Sequence, residues 1–135
     1  QIYEAKCIGA DAVLLICSLL SAAQLGEYLA QAQELGLSAL VEAHTAAEVQ
    51  QALVAGAEII GVNNRNLKDF SVNPVNSLRL REAIPASKIF VAESGIQCAT
   101  DTQALKQAGV QAVLVGEALM RSADAAAMLK EMRDA

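Results

Sequence analysis

Runs of branched apolar residues recur along the chain, and most of them follow a glycine and one or two small or polar residues. Each run is continuous rather than alternating, which is typical of parallel strands that are buried on both faces. We therefore predict five parallel β-strands. The five runs lie at 12–16, 39–41, 59–62, 89–92 and 112–115.

The segments between the runs predict helices, because parallel strands need crossover connections. Apolar residues recur at helical spacing over 21–35. A last helix is predicted over 119–132, with a break near Ser122 that would cap its second part. The residues before Gly9 resemble the tail of a helix whose beginning is absent.

Helix ends are marked by capping patterns. The segments 45–48 and 100–103 both fit the capping box, in which a hydroxyl and an acidic or amide side chain satisfy free N–H groups at a helix start. Gly56 and Gly109 stand where a helix would stop in a left-handed conformation. The pattern predicts one layered α/β body without a linker. Two architectures fit it: an open doubly wound sheet, or part of a (β/α)8 barrel.

Composition narrows the function classes. The chain has 135 residues and a net charge of −5, so one domain is expected and a surface that neutralises nucleic-acid phosphates is not. No apolar run has the length of a membrane span, and residues 1–6 lack the form of a signal peptide. The apolar fraction of 54% is high for so short a chain. We expect a cytoplasmic protein whose sequence is part of a larger fold.

The chain offers few ligands for a metal. Its three cysteines, Cys7, Cys17 and Cys98, are widely spaced, and His44 is its one histidine. Zinc sites need three or four grouped ligands, so we expect reduced thiols and no metal. His44 is expected to be a surface or supporting residue rather than a base, because nothing near it in sequence would orient it.

Polar residues cluster where the apolar runs end, which is where both architectures place their ligands. Glu42 follows its run directly, so its carboxylate is expected to be partly desolvated and to need a partner. The asparagines at 63–66 also fit a plain turn. The polar and glycine positions at the run ends are Ser18, Glu42, Asn63, Glu93, Ser94, Gly116 and Glu117.

Two glycine-containing turns predict an anion site. Ser94 and Gly95 follow the fourth run, and Gly116 and Glu117 follow the fifth. Backbone N–H groups at such turns can bind phosphate, and in barrels the loops after the last two strands often do so. Glu117 would then offer its N–H and turn its carboxylate away. No glycine-rich dinucleotide motif or Walker loop is present.

Five sequence segments, or phrases, resemble segments of the indole-3-glycerol-phosphate synthase family and occur in the same order along the chain. The resemblance covers essentially the whole chain and strands four to eight of the family's (β/α)8 barrel. It implies that residues 1–135 form a carboxyl-terminal portion of that barrel. The phrases lie at 4–16, 41–44, 60–67, 91–96 and 114–120, and include Asn-Asn-Arg-Asn-Leu and Ala-Glu-Ser-Gly-Ile.

The resemblance implies an activity and assigns roles. The family closes the indole ring of 1-(2-carboxyphenylamino)-1-deoxyribulose 5-phosphate with loss of carbon dioxide and water, without a cofactor. Glu42 matches the general base, and Asn63 and Glu93 match polar residues of the site. Arg65 lies near the aromatic end of the substrate. The family's residues that bind the substrate phosphate match Ser94, Gly95, Gly116 and Glu117.

The resemblance also identifies missing groups. In the family, a glutamate and two lysines on the first part of the barrel serve as acid and substrate anchor. No residue of this chain matches them, and its lysines, Lys68 among them, fall on helices or turns. Glu42 and Glu93 would then face one cavity without a cation, which raises a pKa.

Three hypotheses remain open from the sequence. In the first, the chain is an inactive part of the enzyme, completed by an amino-terminal half. In the second, it is a phosphate-binding or self-associating half-barrel, because open sheet edges invite association into a homo-oligomer. In the third, it belongs to another phosphate-binding barrel enzyme of sugar-phosphate metabolism, which could share Gly95 and Gly116. That hypothesis would not jointly explain Glu42, the segment 63–65 and the pair 93–94.

Overall fold

The computed structural model describes residues 1–66 and 69–135, and in it five strands alternate with helices. The strands are β1 (Ala12–Ile16), β2 (Ser38–Ala43), β3 (Ile59–Asn63), β4 (Ile89–Glu93) and β5 (Ala112–Leu114). The helices are α1 (Ile2–Cys7), α2 (Ala22–Glu34), α3 (Ala46–Val54), α4 (Asn76–Leu80), α5 (Ala99–Gln107), α6 (Glu117–Arg121) and α7 (Ala125–Asp134). Short 3-10 turns cover Cys17–Leu19 and Arg81–Ala83.

The strands form one sheet in the order β1-β2-β3-β4-β5, and every pairing is parallel. A doubly wound sheet reverses its strand order at a switch point, whereas consecutive strands of a (β/α)8 barrel follow chain order. The observed order decides between the two predicted architectures. The prediction of an α/β fold with five consecutive barrel-type strands, preceded by a helix, is confirmed.

The two faces of the sheet have different surroundings. One face packs against the helices and forms the core, in which Val41, Ile60 and Phe90 are fully buried together with Leu25 of α2. We call the other face the concave face. On it Leu14, Ile89 and Leu114 are 41%, 47% and 51% exposed. The described residues therefore complete the helix layer over one face and leave much of the other uncovered.

Helix boundaries follow the predicted capping residues in part. Thr45 precedes α3 and its hydroxyl accepts the N–H of Glu48 at 3.2 Å, as predicted. Gly56 and Gly109 follow α3 and α5 with φ of 90° and 78°, which confirms both left-handed helix stops. Ser21 caps α2, whose span agrees with the predicted helix.

Two predicted caps are wrong. Helix α5 begins at Ala99 rather than after Thr100, because the Asp101 carboxylate accepts the backbone N–H groups of Gln97 and Cys98 and so fixes an earlier start. The carboxyl-terminal helix does break at Ser122. However, Asp124 caps α7 by accepting the N–H of Ala127 at 2.9 Å.

Other structural features bear on the function classes. No described helix is long and apolar enough to cross a membrane. Within residues 1–66 and 69–135, no three His, Cys, Asp or Glu side chains are grouped so as to hold a metal ion. All three cysteines are free, and burial raises the pKa of the Cys17 thiol to about 11, with further contributions from Glu48 and Glu42.

Candidate active site

The strand register places the predicted catalytic residues on the concave face. Glu42 of β2 pairs with Gly61 of β3, and Asn63 of β3 pairs with Glu93 of β4. Paired residues of parallel strands share a face, and residues two apart on one strand do so as well. Glu42, Gly61, Asn63 and Glu93 therefore all lie on the face that is not covered by helices, at its carboxyl edge.

Glu42 and Glu93 form a pair of buried carboxyl groups. They are only 8% and 2% exposed, and the Oε1 atom of Glu93 has no hydrogen-bond partner in the described part of the chain. Burial is the largest cause of a rise in the pKa of Glu93 from 4.5 to about 8, and the charge of Glu42 and a hydrogen bond with its carboxyl group contribute the rest of this rise. The Glu93 carboxyl group therefore retains its proton at neutral pH, and its raised pKa agrees with the expectation from the sequence.

Asn63 ends β3 and anchors the chain that follows. Its Oδ1 accepts the N–H of Arg65 at 2.9 Å, which is the turn geometry that the asparagines also fitted. Its carbonyl oxygen accepts from Nδ1 of His44 at 2.7 Å and from Nδ2 of Asn76 at 3.4 Å. His44 is therefore a supporting residue behind the site, in line with the sequence-based expectation.

Asn64 joins three elements at the edge of the site. It is 1% exposed. Its backbone N–H donates to the carbonyl of Glu93 at 2.8 Å, and its side-chain Nδ2 donates to the carbonyl of Ser94 at 3.0 Å. Its Oδ1 accepts from the N–H and the hydroxyl of Ser77 in α4, at 2.9 and 2.8 Å. These bonds hold the ends of β3 and β4 and the start of α4 together.

A cleft of about 930 Å³ adjoins the concave face. It lies between the turn after β4, the turn after β5 and helix α6. All five residues predicted to bind substrate line it: Arg65, Ser94, Gly95, Gly116 and Glu117. A second cavity of about 450 Å³ lies between α5, β5 and α7 and contains none of the predicted site residues. Only the first cavity is therefore relevant to the predicted chemistry.

Ser94 and Gly95 form a tight left-handed turn at the floor of this cleft. Their φ angles are 64° and 71°. Such a conformation is costly for serine, and the carbonyl of Ser94 is fixed by the side chain of Asn64. A Cβ atom on Gly95 would lie 2.6 Å from Cγ1 of Val72, so the segment after β3 also requires glycine here.

Glu117 is held between two arginines of the cleft. Its carboxylate accepts from Arg65 at 2.8 Å and from Arg121 at 3.1 Å. Hydrogen bonds from Arg121 and Arg65 lower the pKa of Glu117. The carboxylate is therefore engaged with the cations that line the cleft, whereas the sequence led us to expect that it would turn away.

Comparison with known proteins identifies the family. The profile for indole-3-glycerol phosphate synthase matches residues 1–132. The chain belongs to this family. It is 57% identical over 133 residues to the indole-3-glycerol phosphate synthase of Ruminiclostridium cellulolyticum and 56% identical over 134 residues to that of Endomicrobium trichonymphae. These alignments cover 98% and 99% of this chain.

The chain spans about half the length of the curated relatives it matches. The alignments cover 51% of the Ruminiclostridium cellulolyticum protein and 52% of the Endomicrobium trichonymphae protein. The activity of the whole enzyme is therefore a proposal for this chain.

Solved structures agree with the fold. A 3-hexulose-6-phosphate synthase from Salmonella typhimurium superposes with a TM-score of 0.80 at 20% identity, covering 98% of this chain and 65% of the other. Thiamine phosphate pyrophosphorylase from Pyrococcus furiosus gives 0.77 at 20% identity, covering 99% and 63%. Identities this low support the barrel-type fold alone.

The lysines of the chain have other positions. Lys88 pairs with Glu58 at 2.7 Å, and Lys106 donates to the carbonyl of Ala135 at 2.7 Å. Lys6 lies on α1 and Lys130 on α7. The prediction for Lys68 lies outside the described residues. No described lysine is hydrogen-bonded or ion-paired with Glu42 or Glu93, so no lysine offsets the burial and the Glu42 charge that raise the pKa of Glu93.

Sequence reasoning missed two residues that build the site. Asn64 was recognised only as part of a family phrase, although an asparagine beside a buried strand end needs hydrogen-bond partners. Gly61 lies inside the apolar run of β3, and a glycine within a strand often marks a close approach of other groups. That signal was available in the sequence.

Proposed function

We propose that this chain forms the carboxyl-terminal part, residues 1–135, of an indole-3-glycerol-phosphate synthase barrel. The reaction is the ring closure of 1-(2-carboxyphenylamino)-1-deoxyribulose 5-phosphate with loss of carbon dioxide and water. One observation supports this most strongly: all eight predicted site residues lie at the carboxyl edge of one sheet. Three are on the concave face and five line the adjoining cleft.

Glu42 is the proposed general base. Ring closure joins a carbon of the aromatic ring to the carbonyl carbon of the sugar, and aromatisation then requires the removal of a proton. Burial keeps a proton on Glu93 at neutral pH, and we assign the role of proton acceptor to its neighbour Glu42. A lysine supplied by the rest of the barrel would lower the pKa of Glu93 and provide the acid that the reaction needs.

The cleft is the proposed phosphate site. The left-handed turn at Ser94 and Gly95 exposes backbone N–H groups, and Arg65 and Arg121 provide positive charge beside it. A bound phosphate would compete with Glu117 for the arginines. We propose that the partner is a small phosphorylated substrate, that the enzyme is a cytoplasmic lyase of tryptophan biosynthesis, and that its acid-base chemistry uses no cofactor.

The experiment that tests this proposal is reconstitution of the barrel. The chain would be co-purified with the portion of the Ruminiclostridium cellulolyticum relative that lies outside the alignment. Product formation is followed by indole fluorescence. We expect no turnover from the chain alone, turnover from the pair, and a loss of at least about 1,000-fold in kcat with Glu42→Gln.

A matched control is Glu58→Gln, since Glu58 immediately precedes β3, at the end opposite to the site, and its exposed side chain pairs with Lys88. Its turnover should equal that of the reconstituted wild type. Unchanged turnover with Glu42→Gln would refute the base assignment. Turnover by the isolated chain would refute the proposal that the remainder of the barrel is required.

The alternative is a half-barrel that binds phosphate without catalysis. The cleft favours it, because all of its lining comes from described residues of this chain. Titration of the isolated chain with inorganic phosphate separates the two proposals. Saturable binding that Glu117→Gln strengthens, combined with inactivity of the reconstituted pair, would support the alternative and contradict the catalytic role.

A further inference from the structure

Gly61 occupies the position between the two catalytic carboxyl groups. It is the central residue of β3, directly beside Glu42 of β2 in the register. On its other side it pairs with Val91 of β4, two residues before Glu93. Side chains from β2 and β4 that extend along the concave face can therefore meet above this residue.

The backbone at Gly61 does not itself require glycine. Its φ lies outside the left-handed region in which Gly9, Gly36, Gly56, Gly95 and Gly109 are found. Any residue could adopt this extended strand conformation. The reason for a glycine must therefore be found in the space above the strand.

That space is filled by Glu93. A Cβ atom added to Gly61 would overlap Oε1 of Glu93, and it would lie 2.9 Å from the Cδ atom of the same carboxyl group. The next neighbour is Cδ1 of Leu40, at 3.1 Å. Oε1 is the buried atom that has no hydrogen-bond partner among the described residues, so contact with the strand, and not a hydrogen bond, defines its position.

We propose that Gly61 is a positioning residue, whose missing side chain forms the seat in which the Glu93 carboxyl group lies against β3 beside Glu42. With any larger residue at 61, the carboxyl group must leave the seat and move toward the open concave face. There it gains water and loses its fixed position beside Glu42. The catalytic consequence rests on the proposed function, whereas the seat itself does not.

The test is the titration of Glu93 in this chain, followed by carbon-13 NMR of the glutamate carboxyl groups, with Glu93→Gln to assign the resonance. Gly61→Ala should lower the pKa of Glu93 from about 8 toward its ordinary value of 4.5. We expect a change of at least about one unit, which is a 10-fold change in the ionisation constant. An unchanged titration in a folded Gly61→Ala protein would overturn the proposal.

Gly26→Ala is the matched control. Gly26 is also outside the left-handed region, and a Cβ atom there would meet nothing within 4 Å. This variant should leave the titration of Glu93 as it is in the wild type. A change of equal size in Gly26→Ala would show that the effect is not specific to the seat, and would count against the proposal.

A second variant keeps the proposal testable if Gly61→Ala does not fold. Glu93→Asp shortens the side chain by one methylene and withdraws its carboxyl group from the seat. The double variant, Gly61→Ala with Glu93→Asp, should therefore fold, and its free energy of unfolding should equal that of Glu93→Asp alone. If the double variant also fails to fold, Gly61 is needed for packing against Leu40, and the proposal is wrong.

The reconstituted barrel separates this inference from the proposed function. Gly61→Ala should lower kcat by about 10- to 100-fold with little change in KM, and should shift the pH-rate profile. If Gly61→Ala shifts the NMR titration of Glu93 but the reconstituted barrel has no activity, the seat is supported and the proposed function is rejected. An active barrel with unchanged kcat and pH profile in Gly61→Ala would reject the positioning role of Gly61 in catalysis, and an unchanged NMR titration would reject the seat itself.

Discussion

Glu93 combines near-complete burial with an Oε1 atom that has no hydrogen-bond partner among the described residues, and its burial is the largest cause of its altered ionisation. Its pKa of about 8 in the folded chain lies above its ordinary value of 4.5. Between these two values the folded state retains a proton that the unfolded state releases. The free energy of unfolding therefore falls as pH rises through this window, and the stabilisation is complete only below about pH 4.5.

We predict that Glu93→Gln removes this dependence. Urea unfolding of the wild type at pH 5, 6, 7 and 8 should show a decrease in stability whose slope corresponds to about one proton. The variant should show a markedly flatter profile. Glu27→Gln, on the exposed side of α2, is the control and should retain the wild-type slope. Equal slopes in all three proteins would contradict the pKa shift.

Asn64 differs from Glu93 in that each of its polar groups has a hydrogen-bond partner. We predict that Asn64→Ala lowers the free energy of unfolding by about 1–3 kcal/mol, since it leaves the Ser94 carbonyl and the Ser77 groups without their bonds. Denaturant unfolding at constant pH measures the loss.

Asn64→Asp and Asn73→Ala provide the comparison. The aspartate keeps the acceptor for Ser77 but buries a carboxylate and sets one of its oxygens against the Ser94 carbonyl, so its stability should be no higher than that of Asn64→Ala. Asn73 is exposed, and its side chain accepts one N–H, from Val75. Its replacement by alanine should cost less than Asn64→Ala. A larger loss with Asn73→Ala would show that burial does not govern these bonds.

At the scale of secondary-structure elements, alanine substitutions at two glycines with different backbone conformations should have opposite effects on the stability of the protein. Gly26 lies inside α2 with open space around it, and Gly56 ends α3 with φ of 90°. Gly26→Ala should stabilise the protein by about 0.5–1 kcal/mol because alanine favours a helix interior. Gly56→Ala should destabilise it by about 1 kcal/mol because alanine is strained in the left-handed region.

Thermal unfolding measures both changes under one condition. Helical circular dichroism should remain unaltered in each variant, since an added Cβ atom would meet nothing within 4 Å at either position. If Gly56→Ala were as stable as Gly26→Ala, the left-handed stop after α3 would not be contributing to stability.

The elements themselves were predictable to different degrees. All five strands could be predicted because continuous apolar runs are typical of parallel strands, although much of the concave face is exposed in the described residues. The start of α5 could not, because Asp101 reaches back to two N–H groups that precede the predicted Thr100 box. The meeting of Glu42 and Glu93 above Gly61 could not be predicted from the residues either. It depends on the register of three strands, which no local pattern encodes.

For the whole molecule, the distribution of apolar surface is the dominant feature. The helix layer covers one face, while Leu14, Ile89 and Leu114 remain exposed on the concave face. In the described residues β1 and β5 are the edges of the sheet, and each pairs with one neighbour only. Edges and apolar faces of this kind favour association with another chain. This explains the high apolar fraction of the sequence in structural terms.

We predict that the isolated chain self-associates through the concave face and that Leu114→Lys weakens this association. Leu114 is the last residue of the edge strand β5, so a charge there would face the contact between copies. Losing the burial of one leucine should raise the dissociation constant by about 10-fold or more. Sedimentation velocity over a range of concentrations measures the change.

Val54→Lys is the matched control, because Val54 is 75% exposed at the end of α3, on the helix layer that lies across the sheet from the concave face. Its dissociation constant should equal that of the wild type. A wild-type chain that sediments as a folded monomer at every concentration would contradict self-association. Equal weakening by Val54→Lys would place the contact elsewhere than on the concave face, because a lysine on the helix layer should not disturb a contact that is made through the concave face.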